Sequence, residues 1–335
     1  MLHKKIVLIV LGFFVSFVGF SQNAKERNQE NINVNKFRQL YQEFSSPNMF
    51  RTASGAPGPA YYQQQADYKM DIELDDENKR IYGSETITYT NNSPDNLEYL
   101  WVQLDQNVRK KDSPSLLIPS GFTKEFLTDS FDGGFNIEYV VDENNKPLKH
   151  FVNQTMMRVD LPNILKSGES FSFSIKWWYN IQDHVNQDGR SGYESFDKDG
   201  NRVYIIAQFF PRMAVYNEVE GWQNYQFWGD GEFALPFGNY DVKITVPSDH
   251  ILDATGELQN RKNVFSKEML KRFNKAKKTY DKPVMIVTQA EAEEAEKGFL
   301  KKKKTWHFQA ENVRDFAFAT SRKFIWDMMA VKIGD

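Results

Sequence analysis

From Tyr68 onward, hydrophobic residues occupy every second position, which is the period of a β-strand with one buried face. Two such segments face each other across a polar turn: Tyr68, Met70, Ile72 and Leu74, then Ile81, Gly83, Ile87 and Tyr89. Further strands are predicted at 97–104, 135–141, 155–161, 169–180, 202–210, 239–246 and 283–288, with turn signals between them. This pattern predicts a mainly β fold, an antiparallel saddle-like open sheet or a β-sandwich with small helical insertions.

Three segments follow a helical pattern instead. Asn35 to Phe44 places apolar residues at i, i+3, i+4 and i+7. Ser266 to Tyr280 begins with a Ser suited to a helix N-cap and is strongly basic, whereas Gln289 to Lys297 is acidic. Solvated helix faces on an insertion are favoured for these two charged segments over a binding site for a partner. Lys301 to Lys304 is expected to form an exposed hairpin or loop.

The last part of the chain combines two strand patterns. Trp306 and Phe308 alternate with polar residues, and Asp315 to Ala319 forms a nearly continuous apolar run, which predicts a strand buried on both faces. A buried strand needs neighbours to cover it, and only sixteen residues follow Ala319. The pattern therefore leads to the expectation that a further, working part of the protein lies beyond residue 335.

Motifs in two regions of the chain resemble those of the gluzincin zinc aminopeptidases, the family of aminopeptidase N and leukotriene hydrolase. In the first region, residues 207–222 are AQFFPRMAVYNEVEGW and residues 229–247 are GDGEFALPFGNYDVKITVP. The second region is the segment WHFQAENVRDFAFATSRKFIW at 306–326. The order and spacing of these blocks resemble a bacterial branch of the family. The resemblance covers most of residues 66–327 and implies the family's N-terminal, non-catalytic β domain.

The first residues have the composition of a secretory signal. Lys4 and Lys5 precede an apolar stretch from Ile6 to Phe20, and a small residue at Ser21 allows cleavage before Gln22. The apolar stretch is shorter than the roughly 20 residues needed to span a bilayer, so cleavage is favoured over a stable membrane anchor. The chain has no cysteine, which fits a periplasmic or secreted bacterial protein without disulfides. The predicted division is a signal peptide at 1–21, a linker or extended arm at 22–65, the β domain at 66–327 and the start of a connection at 328–335.

Composition also bears on the class of partner. Without residues 1–21 the chain has 40 basic and 45 acidic residues, because the signal contains two Lys and no acid. This balance gives no support to nucleic-acid binding. The resemblance instead implies two partners: a catalytic domain outside this sequence, and a peptide substrate in the intact enzyme.

The sequence lacks the catalytic motifs of such an enzyme. A zinc hydrolase of this family uses His-Glu-x-x-His on one helix, but the five histidines of this chain are all at least 34 residues apart. The Gly-x-Met-Glu-Asn loop of the family is absent as well. We therefore expect no catalytic residue, no metal ligand and no cofactor in this chain, with zinc implied only for the intact enzyme. Asp197 to Asn201 suggests calcium superficially, but a hairpin turn is favoured there.

Gln208 and Phe210 are the candidate substrate-binding residues. In the resembled family this strand carries a Gln-x-Glu or Gln-x-Gln element at the cleft, whose second residue helps to hold the free amino terminus of the substrate. Gln208 matches the first position, but Phe210 replaces the second, so that Phe210 could line the pocket for the first side chain of the peptide instead. A Gln208 that merely bonds a loop backbone is an equal alternative. Arg212, in the same segment, is expected to pair with carboxylates such as Glu218, Glu220 or Asp230.

Nine aromatic residues between 209 and 237 allow two interpretations. They could anchor a long loop against a partner domain, or they could form a stacking surface for sugars around Trp222 and Trp228. The first interpretation leads to the non-catalytic domain of a zinc metallo-aminopeptidase, inactive by itself. The second leads to a secreted carbohydrate-binding β-sandwich, which stays open as the alternative at this stage.

Overall fold

A computed structural model describes residues 47–117, 131–187, 191–228 and 234–334. The chain divides into two compact units, 1–61 and 62–335. In the first unit, residues 48–51 form a turn in which the side chain of Asn48 accepts hydrogen bonds from the backbone N–H groups of Phe50 and Arg51. The helical segment predicted at Asn35 to Phe44 and the signal peptide lie outside the described residues. Among the described residues, no helix is both long and apolar enough to span a bilayer.

The described residues of the second unit form nineteen strands and four α-helices. The strands are β1 Gln65–Asp75, β2 Arg80–Thr90, β3 Leu97–Gln103, β4 Asn136–Asp142, β5 His150–Asn153, β6 Met156–Leu165, β7 Ser170–Asn180, β8 Gly192–Ser195, β9 Arg202–Ile206, β10 Arg212–Met213, β11 Tyr216–Asn217, β12 Gly221–Trp222, β13 Gly238–Pro247, β14 Ile251–Ala254, β15 Glu257–Leu258, β16 Val284–Val287, β17 Lys303–Val313, β18 Phe318–Ser321 and β19 Trp326–Met328. The helices are α1 His184–Gln187, α2 Arg261–Val264, α3 Lys267–Ala276 and α4 Gln289–Ala295. The fold class is mainly β with several sheets, as predicted.

The largest sheet has seven strands in the order β15-β17-β13-β1-β2-β7-β4. Its neighbouring strands are antiparallel, as expected, except that β1 and β13 run parallel, with Tyr68 opposite Tyr240. Every second residue of β1 and β2 is buried in a common core. The alternation of hydrophobic residues in the sequence therefore predicted the buried face of each strand correctly. Glu85 has the same parity as the core residues of β2 and is buried with them.

Two four-stranded sheets complete the core, in the orders β10-β3-β6-β5 and β14-β18-β9-β8. One continuous hydrophobic cluster connects all three sheets. The side chain of Phe209 contributes to it from a loop: its ring lies 6.4 Å from the ring of Trp177 in β7 and 5.3 Å from that of Phe318 in β18. Trp177 and Tyr179 point into the core, whereas Trp178 lies on the other face, half-buried beneath Arg80.

Two strand predictions differ from the structure. The strand predicted at 202–210 ends at Ile206, and the chain turns at Gln208, whose φ is 52°. The run Asp315 to Ala319 is not a strand buried on both faces: β18 starts only at Phe318, and Ala317 is exposed. Moreover, β18 pairs with β14 on one side and β9 on the other, so its neighbours come from within the chain. A run of apolar letters does not distinguish such a strand from a loop with alternating exposure.

Lys301 to Lys304 is also only partly a loop, because Lys303 and Lys304 are the first residues of β17. Burial lowers the pKa of Lys304 to about 8. The segment 197–201, by contrast, is the expected turn, since it joins the antiparallel strands β8 and β9. The side chain of Asp199 accepts a hydrogen bond from the backbone N–H of Asn201 in that turn.

The charged segments at 266–280 and 289–297 form the predicted helices α3 and α4. The hydroxyl of Ser266 caps α3 by accepting from the N–H of Met269, and Thr288 with Glu291 forms a capping box at α4. Met269 and Phe273 bury one side of α3 against the body of the domain. The opposite, basic side is therefore left to solvent.

Candidate functional site

Two adjacent amide side chains hold two turns of similar geometry. Gln106 and Asn107 belong to a short 3-10 helix that follows β3, and both are buried. Nε2 of Gln106 donates to the carbonyl oxygen of Gln208 at 2.9 Å, and Nδ2 of Asn107 donates to that of Gln154 at 2.7 Å. Gln208 and Gln154 have φ values of 52° and 54°, a conformation that is unusual for a non-glycine residue. The 3-10 helix therefore holds the turn at Gln208 in place by binding the main-chain carbonyl oxygen of Gln208.

The side chain of Gln208 lies beside this fixed main chain and is half-buried. Its amide makes no hydrogen bond to any residue in the described part of the chain, whereas its carbonyl oxygen is engaged by Gln106. The contact of Gln208 with a substrate and the alternative bond to a loop backbone both stay predictions. A free amide on a rigid turn can donate and accept hydrogen bonds with a ligand at low entropic cost.

Phe210 lies in a different environment from Gln208. Its side chain is 0% exposed, and its ring lies 5.0 Å from the ring of Phe209, 5.4 Å from that of Tyr68 and 6.1 Å from that of Tyr240. The sequence separation of two residues therefore does not bring Gln208 and Phe210 to one surface. The geometry gives Phe210 a packing role, and its contact with a substrate side chain stays a prediction.

Arg212 forms the ionic centre of this region. Its Nη2 lies 2.9 Å from Oδ2 of Asp105, and its Nη1 donates to Oδ2 of Asp315 at 2.7 Å. Burial disfavours the charged guanidinium, but the two carboxylates outweigh this cost and raise the pKa of Arg212. The expected Arg–carboxylate pairing is present, but among described residues its partners come from distant segments rather than from Glu218 or Glu220. Asp230 lies outside the described residues.

The two blocks that carry the family resemblance meet at this centre. Phe209 contacts Phe318, Arg212 binds Asp315, and the hydroxyl of Tyr240 donates to the carbonyl oxygen of Arg314 at 3.1 Å. These pairs join segments that are more than 70 residues apart in sequence. The blocks are therefore parts of one packed structure, in which Gln208 lies next to buried Phe209.

Tyr216 and Trp222, two of the aromatic residues that follow Arg212, are used in packing. The ring of Trp222 lies 5.2 Å from that of Tyr216 and 5.9 Å from that of Tyr89, and Trp222 is half-buried. Gln226 fixes the same loop, because its Oε1 accepts from both the backbone N–H and the hydroxyl of Thr155. A sugar-binding site would require an exposed aromatic surface, whereas the ring of Trp222 is packed against two other rings.

Glu85 is a buried ionisable residue that the sequence pattern did not single out. It is 2% exposed, and neither of its carboxylate oxygens has a hydrogen-bond partner among the described residues. Burial raises the pKa of Glu85 well above its ordinary value. The only sequence signal was its parity with Ile81, Gly83 and Ile87 in β2. Burial therefore favours the neutral form of this carboxyl group.

Zinc does not fit the residues at hand. In the described part of the chain, no three His, Cys, Asp or Glu side chains are close enough together to hold a metal ion. His250 is fully buried beside Asp76, but the guanidinium of Arg322 occupies the space between Asp76 and Asp249, with N–O distances of 2.8 and 2.9 Å. No step of a metal-dependent reaction can be assigned to these residues.

Comparisons of the sequence with protein-family models and with curated proteins found no match. Solved structures similar to this one include an M1 zinc metallopeptidase from Deinococcus radiodurans, at 12% identity and a TM-score of 0.40, covering 79% of this chain and 43% of that chain. Another is a mutant M1 zinc metallopeptidase from the same organism bound to a Tyr-Ser-Ala substrate, at 11% identity and a TM-score of 0.40, covering 77% of this chain and 42% of that chain. This chain thus spans less than half the length of the structures that it matches.

Proposed function

We propose that this chain is the non-catalytic N-terminal β domain of a zinc-dependent metallo-aminopeptidase. The observation that carries the proposal is the meeting of the two family-like sequence blocks at the contact between Arg212 and Asp315. Zinc and the residues that activate water belong to a catalytic domain outside this sequence.

In this proposal the domain forms one wall of the cleft and excludes long or blocked peptides. Gln208 offers its free amide to the first residues of the peptide, because the Gln106 hydrogen bond holds its backbone in place. Phe210 supports that turn from the core rather than from the cleft. The domain contributes shape and hydrogen bonding, and the metal chemistry lies elsewhere.

Hydrolysis by the chain itself provides the first test. We expect the purified chain to contain no stoichiometric zinc and to leave leucine nitroanilide intact, because its described residues offer no three-ligand site. Metal analysis and an absorbance assay measure both properties on one sample. Turnover that depends on one zinc ion per chain would show that the domain is catalytic.

Peptide recognition provides the second test. In an NMR titration, a tripeptide with a free amino terminus should shift the side-chain amide signal of Gln208, and its N-acetylated counterpart should shift it less. Gln208→Ala should abolish the difference. Gln154→Ala is the matched control, since Gln154 has the same backbone conformation but lies exposed on another turn. Equal responses to both peptides would contradict a cleft that selects free amino termini.

We also propose that the protein acts in the periplasm or outside the cell. Support comes from the signal-like residues 1–21 and from the absence of cysteine. Amino-terminal sequencing of the protein from its native host should give a chain that starts at Gln22. An intact Met1 in the cytoplasmic fraction would contradict this location.

A further inference from the structure

The outward face of α3 carries a row of lysines. Lys267, Lys271 and Lys275 are spaced by four residues, and Lys278 extends the row in the turn that continues the helix, where its N–H bonds the carbonyl oxygen of Lys275 at 3.0 Å. At 100° per residue these four side chains fall within an arc of about 80°. All four are exposed. Met269 and Phe273 are buried on the opposite side, so the row points away from the domain.

This positive charge is not neutralised within the described structure. No ion pair among the described residues includes any of these four lysines. Two acidic residues of this region are engaged elsewhere, since Glu268 and Glu291 both pair with Arg272, at 3.5 and 2.6 Å. Asp281, which follows Tyr280, is exposed. In the neighbouring acidic helix α4, Glu294 binds Lys297 at 2.6 Å. The four exposed ammonium groups are therefore available to a negatively charged partner.

The shape of the row indicates the kind of partner. From Lys267 to Lys278 the helix rises about 17 Å, so the four ammonium groups cannot converge on one small anion. Tyr280, which is 64% exposed, lies just beyond the end of the row. Lysines with an adjacent exposed aromatic residue are typical of surfaces that contact the headgroup region of an anionic bilayer.

We propose that the lysine row of α3, together with Tyr280, binds the surface of an anionic lipid bilayer. This inference is independent of the aminopeptidase proposal, because it uses none of the residues around Gln208. The contact is peripheral: the lysines attract acidic headgroups, and Tyr280 enters the interface. Such binding would hold the domain at a membrane surface without a membrane-spanning segment.

Vesicle co-sedimentation of the purified chain tests this. Vesicles of 30% phosphatidylglycerol in phosphatidylcholine should bind the chain at low salt, whereas vesicles of phosphatidylcholine alone should not. Each lysine should contribute about fivefold to the partition coefficient. Replacing Lys267, Lys271, Lys275 and Lys278 together by Gln should therefore lower binding more than about a hundredfold. Raising the salt to 0.5 M should release the wild-type chain.

The matched control replaces four exposed lysines elsewhere by Gln: Lys69, Lys146, Lys166 and Lys198. This variant has the same net charge as the α3 variant, and it should keep vesicle binding within a few-fold of wild type. Circular dichroism should show both variants folded, because all the replaced side chains are exposed. An equal loss in both variants, or no loss in the α3 variant, would overturn the proposal. Wild-type binding to polyglutamate but not to the acidic vesicles would assign an acidic protein partner instead.

Discussion

Nη1 of Arg212 donates a 2.7 Å hydrogen bond to Oδ2 of Asp315 across 103 residues of sequence. The same guanidinium binds Asp105, which is 1% exposed. One side chain thus ties together β10, the 3-10 helix that follows β3 and the loop that precedes β18. Each of these segments leads into a buried part of the core. We therefore expect the loss of Arg212 to lower the stability of the whole domain and not only that of its own segment.

Arg212→Ala should lower the free energy of unfolding by about 3–5 kcal/mol, because it leaves the carboxylate of Asp105 buried without a counter-charge. Urea unfolding followed by tryptophan fluorescence measures the change. Arg158→Ala is the control, since its pair with Asp160 is partly exposed and should contribute less than about 1 kcal/mol. Similar losses in the two variants would contradict the central role of Arg212.

Glu85 should make the protein less stable as the pH rises. Burial raises its pKa in the folded state, whereas the unfolded chain ionises near the ordinary value of 4.5. Above pH 4.5 the unfolded state therefore releases a proton that the folded state retains, and stability falls by about 1.4 kcal/mol per pH unit until the folded pKa is reached. Glu85→Gln should remove this contribution, as a comparison of urea unfolding of the variant and the wild type at several pH values would show. A wild-type slope that the substitution leaves unchanged would mean that another group causes it.

His250 should have the opposite effect, over a pH range that overlaps with that of Glu85. Burial and the nearby guanidinium of Arg322 lower its pKa from 6.5 to about 4, although Asp76 and Asp249 act in the other direction. The folded state keeps His250 neutral while the unfolded chain takes up a proton, so stability is lost as the pH falls from 6.5 towards 4. The loss should total about 3 kcal/mol. Between pH 4.5 and 6.5 the two groups act in opposite directions, so wild-type stability should change little there, and His250→Gln should expose the fall with rising pH that Glu85 causes.

The sequence predicted the strands better than the contacts between them. Alternation along β1 and β2 was sufficient because one face of each strand is buried, and Ser266 marked the start of α3. The turn at Gln208 was not predictable, because its positive φ is imposed by a hydrogen bond from Gln106, a residue 102 positions away. Glu85 was missed for a related reason: parity places a residue in the core, but it does not predict a charged group there.

Gln208→Gly should stabilise the protein by about 0.5–1 kcal/mol, because glycine adopts a φ of 52° without the steric cost that Gln208 bears. Gln154→Gly should have the same effect, since Gln154 has a φ of 54° and a carbonyl oxygen held in the same way by Asn107. Thermal unfolding of the two variants measures the gain. Only Gln208→Gly should also abolish the response to peptides with a free amino terminus. If Gln208→Gly destabilised the protein while Gln154→Gly stabilised it, the Gln208 side chain would be part of the packing rather than available to a ligand.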